Sequence, residues 1–308
     1  MNEELKNAAR STLLALLSGS VPERRDEIVA ILDKHVAGVE VLPDAQLGQI
    51  STEGNTIRFS FKDLDRCWVI GFSCASALPC YGAHLRVAYK TGQVIEDVIQ
   101  SDDELYTQEG EFNDALHAAE QMLGATDIDD VPWPPTIPRP VADRESLKNP
   151  FEMVIYDLTL MGTAFVMLHE VRHAIIRSQN IQFPALRDEE HECDAWAKSF
   201  LLDESENFAQ KYGHEPSLSL SKRAMGLAVG ALIIHELTPY SQRSGSQAYF
   251  SVGERLRALI GNLELPDDDT FWTWAAALLV GIYRRAHRKL DYVGHSPRQL
   301  TMALLNDL

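Results

Sequence analysis

The chain has 308 residues, 45% apolar and 24% charged, with 45 acidic against 28 basic side chains and a net charge of −17. That length supports a large core in one unit or two domains, and the composition is ordinary for a soluble globular protein. The negative charge argues against nucleic acid or anionic membrane as a partner unless basic residues are gathered locally.

The opening Met1-Asn2-Glu3-Glu4 is acidic and polar, so no signal peptide is expected and the chain reads as cytoplasmic. Residues 3–17 and 22–35 read as two helices separated by Ser18-Gly19-Ser20, with Pro22 at an allowed first-turn position. From residue 36 to 99 the texture turns to β. Strands are predicted at 39–42, 56–61, 66–72 and 84–89, and Lys90-Thr91-Gly92 is expected to turn a hairpin into 94–98. Cys67, Cys74, Cys80 and Cys193 fit no paired C-x-x-C spacing and are expected as buried, reduced thiols.

Residues 112–123 form a short predicted helix. Pro132, Pro134, Pro135, Pro138 and Pro140 then make residues 127–140 a rigid connector, the best domain boundary in the chain. It divides an N-terminal α+β region (1–140) from a helical region (141–308), with Trp133 expected to pin the connector to the body.

Residues 151–176 contain no Pro and one Gly, and Leu158, Gly162, Phe165 and Val166 fall on the same helical side as His169 and His173. His169-Glu170-Val171-Arg172-His173 is H-E-x-x-H. Residues four apart stack on one helix face, so both imidazoles can meet one metal ion, the signature of a zinc hydrolase. Glu170 sits at the edge of that stripe, where a general base must be to reach a water beside the metal.

Catalytic zinc usually takes a third protein ligand. The long-spaced pattern would put a histidine where Gln179 stands and a glycine where Ile176 stands, so that class is excluded. After a break at 180–184, residues 188–208 read as a second helix on which Glu190, Cys193, Asp194, Ala197, Phe200 and Leu201 share a face. An acid on an apolar face is costly unless paired or bound to metal. Glu190 is therefore the expected third ligand and Asp194 the acceptor for a ligand histidine's other N–H, whereas Glu189 and Glu192 read as solvated.

The remaining predicted helices are 222–237, 252–262, 271–290 and one opened by Ser296-Pro297, so the second half is nearly all α. The apolar runs 225–234 and 271–283 are too short to span a bilayer. Arg284, Arg285, His287, Arg288 and Lys289 read as a solvated helix end. Four residues compete as the donor to a developing oxyanion: His235, Tyr240, Tyr292 and His295.

The segments LHEVRHAIIRSQN and DEEHECDAWAKSFLL resemble the Lit-type phage-exclusion metallopeptidases, and more distantly other glutamate-zincins with E-x-x-A-D after H-E-x-x-H. Here that run is Glu190-His191-Glu192-Cys193-Asp194, with Cys193 in place of Ala. The resemblance implies a mostly helical, zincin-like α+β fold with a small N-terminal β-sheet. It also implies a zinc endopeptidase that cuts a cytoplasmic protein during phage exclusion. Two other classes share the motif. A metal-dependent hydrolase of a small molecule would close its pocket around the substrate, and a protein with a structural zinc would close the metal with a fourth ligand.

Overall fold

The protein is mostly helical with one small sheet, the α+β class expected; the computed structural model describes residues 3–43, 50–102, 105–141, 143–147, 149–246 and 250–308. Helices α1 (Glu3–Ser20) and α2 (Arg25–His35), joined by a 3-10 turn at Pro22–Arg24, lead into β1 (Gly38–Val41), β2 (Ser51–Glu53) and β3 (Thr56–Phe59). β1 runs parallel and β2 antiparallel to β3, giving the order β1-β3-β2. Ile57 stands opposite both Val39 and Thr52 in the register, and Val39, Ile57 and Phe59 are the side chains the sheet buries. Gly54, at φ +59, turns β2 into β3, a backbone that glycine adopts without strain.

The predicted strands at 66–72 and 84–89 are not strands. Both lie in α3 (Phe61–Thr91), a 31-residue helix opened by a capping box between Ser60 and Asp63 and ended by Gly92 in the left-handed conformation. The expected strand at 94–98 is helical too, in α4 (Ile95–Gln100). The physical reason is burial on several sides. α3 packs against α5 (Leu105–Gly124), α6 (Pro150–Ser178) and α11 (Thr270–Arg285). Nearly every residue from Arg66 to Ser73 is therefore buried, and the one-sided apolar stripe that marks a helix in sequence is lost.

The proline-rich connector is held as expected. Trp68 Nε1 donates to the Pro138 carbonyl at 2.8 Å, and Trp133 packs against the core with its Nε1 donating to the Ile137 carbonyl. The remaining elements are α7 (Leu186–Leu202), α8 (Ser205–Tyr212), α9 (Pro216–Leu237), α10 (Val252–Ile260) and α12 (Pro297–Asn306). The helix expected over 188–208 is two, because the chain turns at Asp203 and Glu204. All four cysteines are buried and unpaired. Arg284 and Arg285, read as a solvated helix end, instead pair with Glu109 and Glu120 on α5.

α6 and α9 form the centre of the molecule and cross where glycines let the backbones meet. A Cβ at Gly162 would lie 2.8 Å from the Gly230 nitrogen, and one at Gly230 would lie 3.1 Å from the Gly162 oxygen. We expect Gly162→Ala to lower stability by roughly 1–3 kcal/mol through overpacking, whereas Gly110→Ala, on α5 with nothing within 4 Å of the new Cβ, gains about 0.5–1 kcal/mol. Denaturant midpoints read both. α6 and α9 are also long and apolar enough to cross a membrane by length and composition, beyond the shorter runs noted in the sequence. They are the core pair, with 61% and 72% of their apolar windows buried, and α6 carries the histidine pair.

Candidate active site

α6 begins at Pro150, with the Asn149 side chain capping Glu152, and runs without a break to Ser178. It places His169 and His173 one turn apart, with His169 only 6% exposed. α7 packs along the same end of α6 and brings Glu190 to the pair. The Nε2 atoms of His169 and His173 are 3.1 Å apart. Glu190 Oε2 lies 3.4 Å from His169 Nε2, and Glu190 Oε1 lies 3.4 Å from His173 Nε2. Donors bound to zinc at about 2.0–2.1 Å and tetrahedral angles are about 3.3 Å from one another. The three side chains thus have the spacing of a zinc ligand set.

The far side of each ring is held. His169 Nδ1 donates to Asp194 Oδ1 at 2.8 Å, and His173 Nδ1 donates to Glu189 Oε1 at 2.7 Å. A carboxylate only accepts, so each Nδ1 carries a proton, and the two facing Nε2 atoms can share one further proton or bind one cation between them. The acids are themselves clamped. Arg255 of α10 reaches Asp194 with Nε at 2.8 Å and Nη2 at 2.6 Å, and Arg177 pairs with Glu189 at 2.7 Å.

These contacts set the charge states. Burial disfavours a charged His169, yet its bonds to Asp194 and Glu190 outweigh burial and push its pKa up to about 10. Burial would raise Asp194, but Arg255 and His169 bring it down to about 2. Burial would raise Glu190 as well, and the two imidazoles instead hold it well below the usual carboxylate range. An ionised acid facing two imidazoles is a donor set that a cation fits, and a metal bound there would displace the proton held by His169.

His169, His173 and Cys193 also offer one atom each within 4.8 Å of one another. The thiol is the weaker third donor. Its sulfur stands 3.5 Å from His173 Nδ1, the nitrogen committed to Glu189, and so lies on the opposite edge of the ring from Glu190. Burial, with Glu190 and Glu189 beside it, pushes the Cys193 thiol far up, away from the thiolate that binds metal.

Glu170 points beside this cluster and is 9% exposed. Burial raises its pKa, against the nearby imidazoles and a 2.8 Å hydrogen bond from Thr52 Oγ1 to Oε2. Its Oε1 has no hydrogen-bond partner among the described residues. The site opens into a cleft of about 810 Å³ lined by Thr52 of β2, His169, Glu170, Glu190, Ile234, Phe250 and Arg255 among others.

The four oxyanion candidates fare differently. His235 is buried and hydrogen-bonded to Glu236, while its neighbour Ile234 lines the cleft. Tyr240 lies on the rim, 85% exposed, between the lining residues Pro239 and Ser241. Tyr292 donates to Asp307 against the Tyr283 ring, and the His295 ring sits over Gly92. Neither of the last two is brought to the cleft.

Glu189 was expected in solvent and is instead 6% exposed. It is four residues before Cys193 and borders the apolar face, and α6 covers that border. Thr52 and Arg255 carried no motif. The Gly54-Asn55 pair is a hairpin signal that would have placed Ser51–Glu53 on a strand.

Asp194→Asn is expected to weaken zinc binding by about 10–100-fold, because the charge that orients His169 is lost while the ligand set stays. Competition against a chromogenic chelator measures it, and unchanged affinity would remove Asp194 from the site.

Among comparisons with known proteins, the family model described as Peptidase U49 matches residues 57–275, from β3 into α11. No curated protein and no solved structure matches.

Proposed function

The chain belongs to the Peptidase U49 family, and we propose that it is a zinc-dependent endopeptidase that cuts a cytoplasmic protein. The observation that carries the reading is the meeting of His169 Nε2, His173 Nε2 and the Glu190 carboxylate at 3.1–3.4 Å, beside a buried Glu170 whose Oε1 has no hydrogen-bond partner among the described residues. Asp194 is occupied by His169 and Arg255 rather than closing the cluster as a fourth ligand, which supports a catalytic over a structural zinc.

Zinc held by His169, His173 and Glu190 would supply Lewis acidity, activating water and polarising the scissile carbonyl. Glu170 does the proton work. Its buried carboxylate takes a proton from water at Oε1, and the same oxygen then gives it to the leaving amine. Thr52 fixes Oε2, so Oε1 is the oxygen left facing the cleft. β2 is an edge strand of the sheet and Thr52 lines the cleft, so a substrate main chain can pair along it as a further strand.

Thr52→Val removes a bond that favours charged Glu170, so the pKa of Glu170 rises further. Activity needs the deprotonated base, hence the acid limb of kcat/KM moves to higher pH. A limb that stays put contradicts this role for Thr52.

The likeness of LHEVRHAIIRSQN and DEEHECDAWAKSFLL to the Lit-type metallopeptidases extends the reading to phage exclusion. The test is a proteome-wide search for new N-termini in cells expressing wild type or Glu170→Gln. New termini confined to wild type support the reading, and identical profiles oppose it.

A further inference from the structure

Arg66 is a charge without an assigned use. It stands in the second turn of α3, is 2% exposed, and lines the same cleft as His169, Glu170 and Glu190. Its Nε donates to the Ala119 carbonyl at 3.1 Å. Its Nη1 is 3.7 Å from Asp63 Oδ1, beyond hydrogen-bond reach. Among the described residues, neither Nη1 nor Nη2 has a hydrogen-bond partner.

Asp63 gives Arg66 a long ion pair through Oδ1, while its Oδ2 accepts from both the nitrogen and the hydroxyl of Ser60 at the start of α3. The other acids near Arg66 are committed elsewhere. Glu236 is bonded to His235 and Arg243, and Glu120 to Arg285. Burial accordingly outweighs these neighbours and lowers the pKa of Arg66. A guanidinium is a planar fork that matches a carboxylate with two parallel bonds; Asp63 supplies a counter-charge at 3.7 Å but neither of those bonds, so the Nη donors of the fork remain unused among the described residues. Val166, one turn before His169, and Ile234 and Leu237 at the end of α9 add apolar wall to the same cleft, where a charge pair is screened less than in water.

We propose that Arg66 forms the floor of a substrate subsite that receives a carboxylate of the peptide near the bond that is cut. This rests on the peptidase reading and adds a specificity to it. The carboxylate comes either from an Asp or Glu side chain, which keeps the endopeptidase reading, or from a substrate C-terminus, which would make the enzyme a carboxypeptidase instead, and the two sources separate experimentally.

The test digests a proteome-derived peptide library with zinc-loaded wild type, followed by matched synthetic peptides. The expected result is that one position beside the cleaved bond is acidic, with Asp or Glu peptides cut at least tenfold better than their Asn or Gln counterparts. If the C-terminus is the source, cleavage instead falls at least tenfold when that terminus is amidated. Arg66→Gln should bring the acidic-to-neutral ratio of kcat/KM toward one, and Arg66→Lys should restore part of it. Cleavage with no preference for either carboxylate in wild type overturns the subsite and leaves the peptidase reading standing, a result that needs no folded variant. No cleavage of any peptide overturns both.

Discussion

Glu170→Gln is expected to lower kcat/KM by about 10²–10⁴-fold while zinc stays bound at one equivalent. Glutamine keeps the shape and still accepts from Thr52, but it cannot take a proton from water, and general-base contributions are typically of that size. A thousandfold loss corresponds to about 4 kcal/mol of transition-state stabilisation. The loss should fall on kcat, because Glu170 acts on the reacting atoms rather than on the bound peptide. Peptide kinetics with a parallel metal assay decide it. Loss of zinc along with activity would make Glu170 a ligand, and retained activity would remove it as the base.

The second large effect is at Glu190. Glu190→Ala removes both oxygens that face the imidazole pair at 3.4 Å, so zinc affinity should fall by more than the roughly 10–100-fold expected for loss of an outer hydrogen-bond partner. His169→Ala should do the same. Cys193→Ser should leave zinc and activity in place, because the sulfur lies against His173 Nδ1 rather than Nε2. Zinc uptake by the metal-free protein should release the proton that His169 holds up to about pH 10, so affinity rises with pH across the neutral range. Titrations in buffers of different ionisation heat read that proton. A Glu190→Ala protein that binds zinc as wild type does would contradict the ligand set.

How legible this was depended on whether a residue's role was local. H-E-x-x-H is fixed by the helical repeat, and the apolar flanks of α6 were enough to place His169, Glu170 and His173 on one side. Glu190 and Asp194 followed from the cost of acids on an apolar face, and the structure brings both to the histidines they were expected to meet. Glu189 escaped the same rule because it sits at the border of that face and only the position of α6 buries it. Arg255 is 61 residues from Asp194 along the chain, and nothing local marks it. α3 is hard to read from sequence for the opposite reason. Its surroundings are so complete that Arg66 to Ser73 lost any polar side, and only the Ser60–Asp63 cap and Gly92 announced a helix. Arg66 is hidden with it, because only the path of α3 past α5 and α6 brings that side chain to the wall of the cleft.

Two imidazoles and one carboxylate are expected to hold a zinc ion with a position left open beside Glu170. X-ray absorption at the zinc edge of the loaded protein tests it most directly, because nitrogen and oxygen ligands lie at about 2.0–2.2 Å and sulfur at about 2.3 Å. The expected shell is nitrogen and oxygen only, with one oxygen scatterer exchanged when a hydroxamate peptide is added. A sulfur scatterer from Cys193, or a closed shell that no added ligand changes, would contradict it.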